Sequence, residues 1–176
     1  MNNICPNRDV RRLILKKYLF KNERYLLFYA LGIVFDLNLE FMNEAALNGH
    51  LKVLQWAREN RCPWNITTCA YAAENGHLEV LQWAVENGCS WNEWTSSYAA
   101  ANSHLEVLQW ARKNGCPWDE FTCSSAAKNG HLEVLRWARE NGCHWDKWTS
   151  LYARKHTHLE VLRWAKENGC LEFISS

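Results

Sequence analysis

The sequence predicts an all-α solenoid made of stacked helix–turn–helix repeats. Three observations carry this. First, the phrase Ala-Ala-Glu-Asn-Gly-His-Leu-Glu-Val-Leu at 72–81 returns along the chain in near-copies, and His50, His77, His104, His131 and His158 mark steps of 27 residues. A period between about 20 and 50 residues is the signature of a solenoid or array. Second, each copy holds two short apolar patterns of helical spacing, each closed by an Asn-Gly or a close substitute. Third, the second pattern is apolar over so wide an arc that one hairpin cannot bury it alone. Stacking its neighbours on both sides does.

Taken in order, the chain opens with a basic stretch. Residues 1–25 hold seven Lys/Arg against Asp9 and Glu23, and the remainder is acidic by four charges, so the net charge is +1. The repeat register extends backwards. Leu26-Leu27-Phe28-Tyr29-Ala30 aligns with Val53-Leu54-Gln55-Trp56-Ala57, and Asn38 falls on the Asn/Asp turn position. Residues 1–40 are therefore expected to form a helical N-terminal cap containing a degenerate repeat, with polar residues facing outward as terminal repeats require. A minor alternative rests on Cys5-Pro6 followed by Val10, Leu13-Ile14-Leu15 and Tyr18-Leu19. This run is weakly similar to the start of an F-box. That resemblance would make the chain a substrate adaptor for a ubiquitin ligase.

Residues 41–176 are expected to hold five repeats. In the unit around His104, Leu105, Leu108 and Ala111 follow helical spacing, while Val107 and Trp110 add a second apolar stripe. Glu106, Gln109 and Lys113 form the polar stripe, and Asn114-Gly115 ends the helix because Gly takes the left-handed conformation easily. In the first unit the same place reads Asn60-Arg61, a weaker cap. The linker Cys116-Pro117-Trp118-Asp119 resists helix. Thr122, like Thr68, Thr95 and Thr149, is then a candidate N-cap for a shorter helix. That helix carries paired alanines (Ala72-Ala73, Ala99-Ala100, Ala126-Ala127), small enough to let helices approach closely. The ladder Trp56, Trp83, Trp110, Trp137 and Trp164 is expected to supply most of the buried apolar area. In the last unit the pair becomes Ala153-Arg154, as expected of a terminal hairpin.

The phrase at 72–81 resembles the heart of an ankyrin repeat, over roughly residues 41–170. Two departures stand out. The period is 27 rather than 33, and the Thr-Pro-Leu-His opening becomes Trp-Thr-Ser-Ser-Tyr (94–98) or Phe-Thr-Cys-Ser-Ser (121–125). The resemblance implies an ankyrin-like solenoid with shortened or absent β-hairpin fingers. Similar short Trp- and Cys-rich repeats occur in ankyrin-like proteins of large DNA viruses and some protists. It also implies a protein–protein interaction module, with a protein partner held on a concave face of loop tips and first helices. Positions on that face that vary between units are candidates to read the partner. They are Ile66, Glu93, Glu120 and Lys147; Thr67, Trp94, Phe121 and Trp148; Ala70, Ser97, Ser124 and Leu151; and Glu74, Ala101, Lys128 and Lys155. Trp94, Phe121 and Trp148 are the most informative, because aromatics dominate interface hot spots.

Other classes find little support. No Gly-rich phosphate loop or nucleophile motif is present, and the acidic residues Glu79, Glu106, Glu133 and Glu160 are repeat surface positions. No catalysis and no cofactor are expected. The histidines and cysteines repeat every 27 residues instead of clustering as metal ligands do, so no metal is expected either. Cys143-His144 with His156 and His158 is the nearest approach to a cluster. The His ladder reads as a turn residue bonding backbone groups, and Cys69 and Cys123 as small core residues. The net negative repeats argue against nucleic acid. No run is apolar enough to span a membrane, and no signal peptide is visible. Cys62, Cys89, Cys116, Cys143 and Cys170 would stand about 8–10 Å apart in a stack, too far for disulfides. Reduced thiols point to a cytoplasmic protein, in the host cytoplasm if the source is viral, and a monomer is expected.

Overall fold

The computed structural model describes residues 37–170, and these form ten α-helices. They are α1 (Leu39–Leu47), α2 (Leu51–Glu59), α3 (Ile66–Glu74), α4 (Leu78–Glu86), α5 (Glu93–Ala101), α6 (Leu105–Lys113), α7 (Glu120–Lys128), α8 (Leu132–Glu140), α9 (Lys147–Lys155) and α10 (Leu159–Glu167). Odd and even helices pair into five hairpins, and among the described residues no strand occurs. The all-α, ankyrin-like solenoid without β fingers is therefore the observed architecture. The N-terminal cap expected over 1–40 and its F-box-like alternative lie outside the described residues apart from 37–40, where Asn38 caps α1.

Each first helix starts on an Asn or Asp. Asn38, Asn65, Asn92, Asp119 and Asp146 are the N-caps, and their side chains accept backbone N–H groups of the first turn. This corrects the assignment of the caps to Thr68, Thr95, Thr122 and Thr149. Those threonines lie three residues further on and are fully buried. Thr68 closes a capping box with Asn65 and donates its hydroxyl to Asn43 Oδ1 at 2.9 Å. The carbonyl-bearing Asn and Asp side chains out-compete a hydroxyl because they sit in extended backbone just before the first turn.

Small side chains decide how the hairpins stack. Ala45-Ala46, Ala72-Ala73, Ala99-Ala100 and Ala126-Ala127 are fully buried, with Cys69, Ser96 and Cys123 between them. Neighbouring first helices consequently pack along their whole length, far more closely than neighbouring second helices. The first-helix row is thus the inner, tighter side of the stack. The second helices bury Leu54, Leu81, Leu108 and Leu135 completely. Their tryptophans are only partly buried and lie against the core from outside, so the fully sealed core is aliphatic. Four of them meet a second Trp from the loop before their hairpin edge-to-face, at centroid distances of 5.6 Å for Trp64–Trp83 and Trp91–Trp110, 5.9 Å for Trp118–Trp137 and 5.7 Å for Trp145–Trp164, while Trp56 meets Phe41 at 6.2 Å. Arg58, Arg112 and Arg139 cover Trp64, Trp118 and Trp145 at 4.1–4.2 Å and donate to the Cys62, Cys116 and Cys143 carbonyls.

Two polar ladders run along the array: the histidines tie each hairpin to the one before it, and the cysteines close each hairpin on itself. The Nε2 of His77, His104, His131 and His158 lies 3.0–3.1 Å from the carbonyl of Leu47, Glu74, Ala101 and Lys128. Each of these is the last residue of the preceding first helix, whose carbonyl has no partner within its own helix. The turn-residue reading of the histidines thus holds, and the bond crosses between repeats. The thiols of Cys62, Cys89, Cys116, Cys143 and Cys170 donate at 3.3–3.5 Å to the carbonyls of the N-cap residues Asn38, Asn65, Asn92, Asp119 and Asp146. All seven described cysteines are buried and free. Burial pushes the Cys62 thiol up to about 11, against the pull of Arg58. Hydrogen bonding to Cys89 and Cys143, with burial, holds the Cys69 and Cys123 thiols protonated well above their ordinary range.

Candidate functional site

Along the inner row α3, α5, α7 and α9 each carry one stripe that reaches the surface. It runs through the second helical residue, then four and seven residues further on, which share one helix face. In α3 the stripe is Thr67, Tyr71 and Glu74; in α5, Trp94, Tyr98 and Ala101; in α7, Phe121, Ser125 and Lys128; in α9, Trp148, Tyr152 and Lys155. Trp94 is 47 % exposed, Phe121 58 % and Trp148 42 %, although each is large and apolar. Tyr98 is exposed as well. Trp148 lies over Tyr152 at 5.7 Å, and Lys147 Nζ stands 5.9 Å from the Trp148 ring.

The caps position these rings. The backbone N–H of Trp94, Phe121 and Trp148 donates to Asn92 Oδ1 (3.2 Å), Asp119 Oδ1 (3.1 Å) and Asp146 Oδ1 (3.0 Å). The same Asn and Asp residues are held from behind by the cysteine ladder. Burial and the neighbouring Glu120 push the Asp119 carboxyl above its ordinary range.

The candidate positions divide into two groups. Glu120, Lys128, Lys147 and Lys155 are exposed, while Ile66, Thr67, Glu74, Glu93, Ala101 and Leu151 are partly so. Ser97 and Ser124 are buried and are corrected here, as is Ala70. Three residues on from the aromatic, these side chains turn towards the neighbouring helix instead of the stripe. Ser97 donates to the Glu93 carbonyl at 3.0 Å and lies 3.5 Å from Thr122, and Ser124 donates to the Phe121 carbonyl at 3.3 Å. Variation at that position reflects how stacked helices fit. Tyr98 and Tyr152 were missed, since Tyr recurring at 71, 98 and 152 reads as a packing constant. Their four-residue spacing from the aromatics was the available signal.

The described residues contain no group of three His, Cys, Asp or Glu side chains placed to hold a metal ion. No helix among them is long and apolar enough to cross a membrane.

Fold and surface together define a helical-repeat scaffold that carries an exposed aromatic row on its inner side. Residues 69–112, from within α3 to near the end of α6, match the family model for ankyrin repeats in many copies. That stretch is similar to ankyrin repeats, which generally serve as protein–protein interaction modules. No curated protein matches the chain.

Proposed function

We propose that the array binds a protein partner through its first-helix row, with Trp94, Phe121 and Trp148 as anchors. One observation carries this reading: three consecutive repeats expose a large aromatic at the same point, held by its own N-cap. Exposed aromatics lose water on contact and bring rigid area at low entropic cost, which is why they concentrate in hot spots. Glu93, Glu120, Lys128, Lys147 and Lys155 surround them and set which partner fits. Thr67 and Ile66 extend the same row into the second repeat.

The module works as a monomer, without catalysis, in a reducing compartment such as the cytoplasm. The cysteine ladder supports that setting, because oxidation of its thiols would remove a bond from every hairpin.

The test is a peptide-display selection on the full chain, followed by affinity measurements against W94A/F121A/W148A. Selected binders are expected to lose at least about tenfold, the effect of removing one hot-spot side chain. Circular dichroism of the variant should be unchanged, since all three rings are exposed. Binders indifferent to the triple substitution would sink the reading.

A further inference from the structure

The spacing and charge of the row say what kind of segment fits it. Adjacent packed helices stand about 8–10 Å apart, so Trp94, Phe121 and Trp148 recur at about that interval. A polyproline II segment brings every third residue to the same side after about 9.3 Å. A β-strand returns to one face after about 6.6 Å and falls out of step. A single α-helical turn advances about 5.4 Å and also misses.

The chemistry of the row agrees. Polyproline II has no internal hydrogen bonds, so its carbonyls need donors, and its proline rings need flat apolar partners. Trp94, Tyr98, Trp148 and Tyr152 offer ring faces together with indole N–H and phenol O–H groups. The charge is asymmetric. Seven residues past Phe121 and Trp148, on the same helix faces, stand the exposed Lys128 and Lys155. Glu93 and Glu120 lie on the opposite, N-terminal side of the aromatics, with Lys147 at the same position before Trp148, so the lysine edge carries two positive charges and the other edge a net of one negative. A three-edged segment lying on the rings therefore turns one edge to the lysine side.

From this we infer that the occupant is an acidic, proline-rich segment in polyproline II conformation, with apolar residues at every third position on the aromatic row and Asp or Glu on the edge facing Lys128 and Lys155. The inference rests on the first-helix row being the binding surface.

The probes are two fluorescein-labelled synthetic peptides, five copies of Pro-Pro-Glu and five of Pro-Pro-Lys, titrated by anisotropy against the full chain. The Glu peptide is expected to bind at least tenfold more tightly. W94A/W148A should weaken it at least tenfold, and K128E/K155E should reverse the preference between the two peptides. All four residues are exposed or nearly so, and circular dichroism checks that the variants fold. Failure of the Glu peptide to bind, equal binding of the Lys peptide, or insensitivity to K128E/K155E overturns the inference. If display-selected binders still depend on Trp94, Phe121 and Trp148 in that event, the surface stands and only the ligand chemistry falls. If they do not, both fall.

Discussion

At the scale of single residues, each histidine of the ladder satisfies a carbonyl that its own helix leaves open. His104 lies 3.1 Å from the Glu74 carbonyl, and its ring fills the space where a Cβ on Gly76 would come within 2.6 Å of Nδ1. Replacing His104 with Ala leaves that carbonyl unpaired and opens a gap. A loss of about 1–3 kcal/mol is expected in chemical denaturation. The glycine opposite each ring also meets the need for a left-handed residue. Ser103 occupies this turn at φ 62°, and Thr157 its equivalent in the last hairpin, where Gly49, Gly76 and Gly130 stand in the other three. Ser103→Gly should therefore raise stability by about 1 kcal/mol, read as a higher denaturation midpoint with unchanged slope. Asp119 gives a pH-dependent case. Its carboxyl is raised above its ordinary value of 3.8, first by burial and then by Glu120. The folded state thus holds this proton more tightly than the unfolded one, and stability falls as pH rises from 3.8 through the folded value. Asp119→Asn keeps an acceptor for the Phe121 N–H and removes that charge. Its stability relative to the native chain should climb through this window and level off above the folded value, as paired denaturation curves at stepped pH would report.

At the scale of elements, much was readable beforehand because each helix carries its own punctuation. The Asn-Gly stops, the paired alanines and the His turns placed ten helices, and the 27-residue period stacked them. What escaped was set by contacts between elements. Which of Asn65 and Thr68 caps the helix depends on Asn43, a residue 25 positions before Thr68. Ser97 and Ser124 look like free surface in one helix and are buried only once the next helix packs on them. The aromatic row was legible as variation at one repeat position, but its tyrosines were not, because recurrence hid them among packing residues. The outer Trp pairs and their Arg covers also appear only in three dimensions. They lead to a further prediction. Val85 stands where Arg58, Arg112 and Arg139 stand in other repeats, so Trp91 pairs with Trp110 without that cover. Val85→Arg should place a guanidinium over Trp91 and a donor on the Cys89 carbonyl. An exposed cation–π contact is worth about 0.5–1 kcal/mol, offset by the lost valine packing, so a small gain in thermal midpoint is expected.

At the scale of the whole molecule, stability is a sum of hairpins and the junctions between them. Every junction has the same parts, close first-helix packing and one His-to-carbonyl bond, while one Cys-to-carbonyl bond closes each hairpin on itself. Cooperativity across the array therefore depends on each junction being stronger than the deficit of a hairpin standing alone. The position of a weakened junction should matter more than its chemistry. His104→Ala weakens the junction between the second and third repeats and leaves two and three hairpins on either side. His158→Ala weakens only the attachment of the last hairpin. The two substitutions remove equivalent bonds, at 3.1 and 3.0 Å. Native-state hydrogen exchange should nonetheless separate them. With His158→Ala, protection should fall in α9 and α10 alone, while α3 to α7 keep the global value. With His104→Ala, the repeats on both sides of the second junction should lose protection. Equal, uniform loss across all helices in both variants would mean that the array opens only as one unit, and that the nearest-neighbour account of its stability is wrong. A separable opening would also bear on binding. The aromatic row spans α5, α7 and α9, so a ligand lying across it bridges the last two junctions and should restore the protection lost in His158→Ala, but not across the junction that His104→Ala weakens.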